Sequence, residues 1–266
     1  MKQKSTIKRF DVTSKEFQDD PYKQYEEIHK KNLILFDESI NAYFIGRYHD
    51  VDQILKSPDF STAPLAKRAE PVMGDRVLAQ MTGKEHSAKR KAVLSGLTGK
   101  LFREKHAKMI TETTNSILEK YLHKGKIDLI KDFGKTYGIL VTLQILELPT
   151  IDYEKIAEWH RGITNFITSL KMTEQQRSYS MECSRNLINY LTPIVEKHMN
   201  GLGSSGFISI LCEYESDGER MSTSEIVALI LNILLAATEP SDKCAEAYQE
   251  IANTFYICYL QQCKQQ

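Results

Sequence analysis

A chain of 266 residues with 35 basic and 35 acidic side chains has no formal net charge. That argues against a nucleic-acid binder, whose footprint is a basic excess. A hydrophobic content of 41% suffices for a packed core, and 26% charged residues keep the surface solvated. The start, Met1-Lys2-Gln3-Lys4-Ser5, leads into no apolar run of signal-peptide type. The most apolar stretch, Ile226 to Ala237, is too short to span a bilayer and is interrupted by Asn232. The five cysteines, Cys183, Cys212, Cys244, Cys258 and Cys263, are an odd number without any CxxC spacing. They predict a reduced, cytoplasmic protein with no metal-ligand cluster.

Taken in chain order, Asp20-Pro21 opens a helix, because proline is at home in a first turn. Tyr22, Tyr25 and Ile28 then recur at helical spacing. Leu33 to Phe36 and Ala42 to Ile45, separated by the polar Asp37-Glu38-Ser39, predict a small hairpin. Asp50 to Lys56 predicts a further short helix ending at Ser57-Pro58. Residues 61–83, with Pro64, Pro71, Gly74 and Gly83, are expected to be irregular. Beyond them the periodicity predicts helices over 85–97, 101–123, 128–147, 152–170, 173–199 and 222–242, with Gly201 to Gly206 as a linker between helices. Ser222-Thr223-Ser224-Glu225 fits a capping box, and the run that follows is apolar nearly all round, which predicts a helix buried on most sides.

Two segments carry possible chemistry. In Glu85-His86-Ser87-Ala88-Lys89-Arg90, His86 and Arg90 lie four apart, on one helical face, with Lys89 nearby. That face either holds anionic groups such as carboxylates or phosphates, or is an ordinary solvated basic face. In Leu235-Ala236-Ala237-Thr238-Glu239-Pro240-Ser241-Asp242, the buried helix turns polar and meets a proline. The alternatives are a kinked pocket wall with a freed carbonyl at Ala236, or a helix that simply ends. His160, beside the only tryptophan, reads as a packing or surface residue, and Ile163, Phe166, Ile167 and Leu170 read as core or as an apolar ligand wall. The GxxxxGK[ST], HExxH, GxSxG and GxGxxG motifs are absent, so the common NTPase, zinc-protease, hydrolase and dinucleotide signals are missing.

In order and spacing, Asp20-Pro21-Tyr22, the hairpin ending Tyr43-Phe44-Ile45-Gly46-Arg47, Glu85-His86-Ser87-Ala88-Lys89-Arg90 and Ala236-Ala237-Thr238-Glu239 together resemble the cytochrome P450 family of haem-thiolate monooxygenases from about Asp11 to Lys243. The resemblance implies a mainly α fold, the N-terminal part of a single cytochrome P450 domain over 1–243, with a small N-terminal β-hairpin. It implies heme b as cofactor, with His86 and Arg90 on the propionates, Ala236 and Ala237 against the haem, and Glu239, Ser241 and Thr238 on the proton path. Pro240 stands where the family has a threonine, which is why the hydroxyls of Ser241 and Thr238 enter. The segments Glu38-Ser39-Ile40, Val77 to Met81 and Asp132 to Thr136 are similar to a branch of the family that oxidises a cyclodipeptide, cyclo-leucyl-leucyl. A small-molecule substrate and a ferredoxin- or flavodoxin-type electron donor are the implied partners, with no nucleic acid and no membrane. The family's E-x-x-R helix and F-x-x-G-x-x-x-C-x-G loop have no counterpart, and residues 244–266 read as a divergent, out-of-frame tail. The expectation is a truncated chain, inactive alone for want of the thiolate. The rival expectation is a non-catalytic helical protein that binds an apolar ligand or a partner.

Overall fold

The computed structural model describes residues 11–31 and 34–238. The chain divides into two compact units, one of residues 1–64 with 169–171 and one of residues 65–168 with 172–266.

In the smaller unit, helix α1 (Lys15–Asp19) starts where the Ser14 hydroxyl accepts the Phe17 N–H at 3.2 Å. Helix α2 (Pro21–Lys31) begins on the expected proline. Strands β1 (Ile34–Asp37) and β2 (Ala42–Ile45) pair antiparallel, Ile34 against Ile45 and Asp37 against Ala42. The turn between them uses Asn41 at φ 51°, a conformation asparagine tolerates. Val12 and Ile28 form a small core with Phe17, Leu35, Ile40 and Phe44 around them. Asp37 is fully buried. Burial alone would raise its pKa, but hydrogen bonds from the Val12 N–H and from Ser39 hold it below the usual carboxylate range. Helix α3 (Tyr48–Lys56) follows, two residues longer than its periodicity predicted.

The larger unit holds the main core. Residues 63–73 are helical, not irregular: α4 (Ala63–Met73) places Pro64 in its first turn, buries Ala69, Val72 and Met73, and carries Pro71 near its end. Gly74, at φ 75°, stops it in the left-handed region. The burial of that apolar face outweighed the glycine and proline count. A single 3-10 turn (Leu78–Gln80) leads into α5 (Gly83–Leu97) and α6 (Lys100–Leu122). The helix expected over 128–147 is two elements: a π-helical turn, Leu129–Gly134, capped by the Asp128 carboxylate on the N–H groups of Ile130 and Lys131, and then α7 (Lys135–Ile145). Helices α8 (Tyr153–Thr168) and α9 (Glu174–Met199) pack closely. Helix α9 opens with a capping box in which Thr173 and Gln176 exchange bonds of 3.2 and 2.8 Å.

Beside α1, a helix and a hairpin of the larger unit escaped the sequence reading. Helix α10 (Phe207–Glu213) is a single apolar stretch of 7 residues with no capping side chain, held by the burial of Phe207, Ile208, Leu211 and Cys212. Strands β3 (Glu215–Ser216) and β4 (Glu219–Arg220) close around Asp217-Gly218, both at positive φ, a dipeptide that signals a tight hairpin.

The last described helix, α11, spans 223–238. Its start is the expected capping box: Ser222 Oγ accepts the Glu225 N–H at 3.3 Å, and the Glu225 carboxylate accepts the Ser222 N–H at 2.8 Å. From Ile226 to Leu235 every side chain is buried except the half-buried Asn232 and Ile233. Around this shaft pack Leu143, Ile156, Leu187, Leu191, Ile208 and Leu211, all fully buried. At roughly 1.5–3 kcal/mol for each such side chain, this burial dominates the stability of the unit.

Close approach of α8 and α9 depends on Gly162, where a Cβ would sit 2.5 Å from Cys183 Sγ. Gly162→Val should therefore cost ~1–3 kcal/mol, read as a lower urea midpoint at unchanged slope. Two residues earlier, His160 is buried, and its Nε2 has no hydrogen-bond partner. Burial pushes its imidazole down to about 4, against an opposing hydrogen bond to the Leu235 backbone. Between pH 6.5 and about 4 the unfolded chain binds a proton there that the folded chain does not. The stabilising contribution is therefore complete above pH 6.5 and shrinks as the pH falls toward 4. We expect stability to drop by about 2 kcal/mol more between pH 7 and 5 in the wild type than in His160→Phe, measured by urea unfolding at both pH values.

Candidate haem-pocket residues

Helix α5 sorts its charged residues by direction. Glu85 accepts Arg76 at 2.9 Å and Lys89 at 3.3 Å. The Lys89 ammonium also pairs with Glu225 at the start of α11, and only 13% of its side chain is exposed. Burial alone would raise the pKa of Glu225, but the bonds from Lys89 and Ser222 keep it below the usual carboxylate range. Lys89 thus belongs to the clamp between two helices and not to the face its spacing suggested.

His86 and Arg90, one turn apart, line an open cleft of about 490 Å³ together with Lys91, Leu94, Ser95 and Thr98. His86 is half-buried and Arg90 exposed. No side-chain hydrogen bond or ion pair among the described residues engages either of them, although Glu85 lies on the same helix, occupied elsewhere. Two unengaged donors beside an apolar Leu94 form a surface that can take carboxylates attached to an apolar body.

The far end of α11 changes character as expected. Ala236 and Ala237 are exposed after the largely buried run from Ile226 to Leu235, leaving room for a flat group against the helix. Thr238 is buried, and its hydroxyl donates to the Leu234 carbonyl at 2.8 Å, so the fold already employs that proton. Glu239, Pro240 and Ser241 lie outside the described residues.

A cavity of about 200 Å³ adjoins Ala236 and is walled by Met73 of α4, Val77, Gln80, Ile167 of α8 and Leu235. Of the apolar stripe on α8, Ile163 and Phe166 are core and Ile167 faces this cavity. Thr164 and Asn232 also line it. The sequence showed Asn232 as a break in an apolar run but offered no sign of Thr164 beyond a polar residue inside the α8 stripe.

Cys183 and Cys212 are buried free thiols, and burial pushes both up from their ordinary pKa, so neither is a ready thiolate. Cys244, Cys258 and Cys263 lie outside the described residues. Among the described residues no cluster of three or more His, Cys, Asp or Glu side chains can hold a metal ion, and no helix is long and apolar enough to cross a membrane.

No family model matches this chain. The pulcherriminic acid synthase of Bacillus subtilis is 46% identical to it over 239 residues, which is 90% of this chain and 58% of that protein. A cytochrome P450 of the same organism is 24% identical over 242 residues, 86% of this chain and 57% of its own length. In three dimensions the chain matches the crystallised cytochrome P450 PksS of the bacillaene polyketide synthase of Bacillus subtilis with a TM-score of 0.73 at 18% identity, over 86% of this chain and 58% of that one. The chain thus spans a little under three fifths of the length of the relatives it matches. By sequence and by fold, this chain is similar to the cytochrome P450 enzymes.

Proposed function

We propose that the chain forms the propionate-binding and distal sides of the haem pocket of a haem-thiolate oxidase acting on a small organic molecule, with a cyclodipeptide as substrate. The observation that carries this is the pair His86 and Arg90, unengaged on one face of α5 and lining an open cleft. The group fits these residues: two hydrogen-bond donors, one of them a guanidinium, suit the paired carboxylates of heme b, and the exposed Ala236 and Ala237 leave space for its flat ring. A bound haem would supply oxygen activation at its iron, a chemistry that calls for a cysteine thiolate on the metal.

In this reading His86 and Arg90 orient the cofactor by its edge. Ala236 and Ala237 keep the oxygen side open. Glu239 and Ser241 hold the proton path, while Thr238 serves it only by releasing its bond to the Leu234 carbonyl. The small cavity beside Ala236 takes the substrate, and its walls draw on α4, the 78–80 turn and α8. Residues 1–243 act as part of one cytochrome P450 domain. Electrons come from a ferredoxin- or flavodoxin-type donor in the cytoplasm, without nucleic-acid or membrane partners. The buried Cys183 and Cys212 do not serve as the thiolate. A second reading, a non-catalytic helical binder, is favoured by the same cavity, which needs no haem to form its walls.

Haem titration of the purified chain, followed by the Soret absorbance, tests the first reading. His86→Ala with Arg90→Ala should weaken haem retention at least about tenfold, a loss of ~1.4 kcal/mol, while Lys84→Ala leaves it unchanged. The reduced carbon-monoxide difference spectrum should lack a thiolate-type red-shifted band. Such a band from the chain alone would mean that one of its five cysteines ligates the iron, and would overturn the expectation that the chain supplies no thiolate.

A further inference from the structure

The cavity beside Ala236 contains no ionisable side chain, yet four of its residues carry side-chain polar groups: Gln80, Thr164, Thr168 and Asn232. The fold uses two of them. The Gln80 amide donates to the Ala66 carbonyl at 2.9 Å and accepts the Val77 N–H at 2.8 Å. The Thr168 hydroxyl donates to the Thr164 carbonyl at 2.9 Å. The other two are left over. Thr164 Oγ1 is buried and has no partner, although a helical threonine can bond the carbonyl one turn back, as Thr168 does. The Asn232 amide, half-buried on the otherwise apolar shaft of α11, makes no hydrogen bond among the described residues.

The buried Thr164 hydroxyl opposes folding unless something bonds it. Asn232 is the one side chain with a polar group between Ile226 and Leu235, and it lines the same cavity. The chemistry of the walls also limits what can enter. An ion would lose its hydration without meeting a counter-charge, so the occupant is neutral. An alcohol satisfies one edge of a primary amide, whereas a cis secondary amide presents a donor and an acceptor side by side, matching both the carbonyl and the NH₂ of asparagine. At about 200 Å³ the cavity is smaller than the ~300–1,000 Å³ of common ligand sites, so it holds a compact group.

We infer that Asn232 and Thr164 form a recognition pair for a neutral, apolar molecule bearing a lactam, with Asn232 making the two-point contact and Thr164 bonding a second polar atom. Neither residue touches the reacting atoms in this assignment; both determine which substrate is held. The inference deepens the substrate reading above and rests on it for the cavity's role, but it requires no bound haem.

The test is calorimetric titration of the whole chain with cyclo-leucyl-leucyl and with its N,N′-dimethyl derivative, which keeps the carbonyls and lacks the N–H donors. The wild type should bind the parent at least about tenfold more tightly than the methylated compound. Asn232→Leu should remove that preference by weakening the parent alone. Thr164→Val should weaken the parent several-fold while its thermal midpoint stays level or rises, since an unsatisfied hydroxyl is lost. A wild type that binds both compounds alike or binds neither would overturn the inference, as would an Asn232→Leu protein that keeps the preference. Should Asn232→Leu not fold, the methylated probe and Thr164→Val decide the matter. Haem titration of the same sample separates the two claims. Haem retention without lactam preference leaves the haem reading standing and sinks this one. Lactam preference without haem retention does the reverse.

Discussion

The larger unit depends on one constraint: an almost wholly apolar helix must be enclosed, and its first turn must be fixed so that the right residues emerge at its far end. Glu225 meets that constraint at the N-terminus. It accepts the Ser222 N–H within a capping box and takes the Lys89 ammonium from α5. The carboxylate is stabilised in its charged form despite partial burial. Below it, Ile226 to Leu231 are surrounded by α7, α8, α9 and α10, whose buried Leu143, Ile156, Leu191 and Ile208 leave the helix no freedom to rotate.

That locked rotation determines what the end of the helix presents. With the shaft held, Ala236 and Ala237 are exposed, Asn232 lines a cavity and Thr238 turns back onto its own backbone. The same clamp orients α5. Because Lys89 is drawn inward, His86 and Arg90 are directed to the open cleft with no acid to neutralise them. One half-buried ion pair therefore joins the two elements on which the proposed haem site rests.

Much of this was legible in the residues. The capping box at Ser222, the apolar shaft, the hairpin at 34–45 and the placement of His86 and Arg90 on one face all follow from local rules of spacing and capping. The misreadings have a common cause. Residues 63–73 looked irregular because proline and glycine dominate local propensity, yet Ala69, Val72 and Met73 find a core that stabilises the helix. The stretch 129–134 reads as ordinary helix, and only the backbone bond from the Lys135 N–H to the Ile130 carbonyl, five residues back, shows that it is wound as a π turn. Helix α10 has no start signal and exists because its apolar side chains are buried.

The division between sequence and tertiary structure is clearest on α5 and α11. Side-chain type and helical period by themselves determined that His86 and Arg90 share a face, that α11 is buried, and that Ala236 to Thr238 mark a change in its character. They could not determine which of the three neighbouring side chains, His86, Lys89 or Arg90, would be consumed by an ion pair, because Glu225 lies 136 positions from Lys89 in the chain. Nor could they bring Thr164 of α8 to the same cavity as Asn232 of α11, since that depends on how two helices pack around side chains from the rest of the core. Spacing acts within one turn of a helix, whereas the charges and polar groups left unengaged in this protein are decided by contacts between helices.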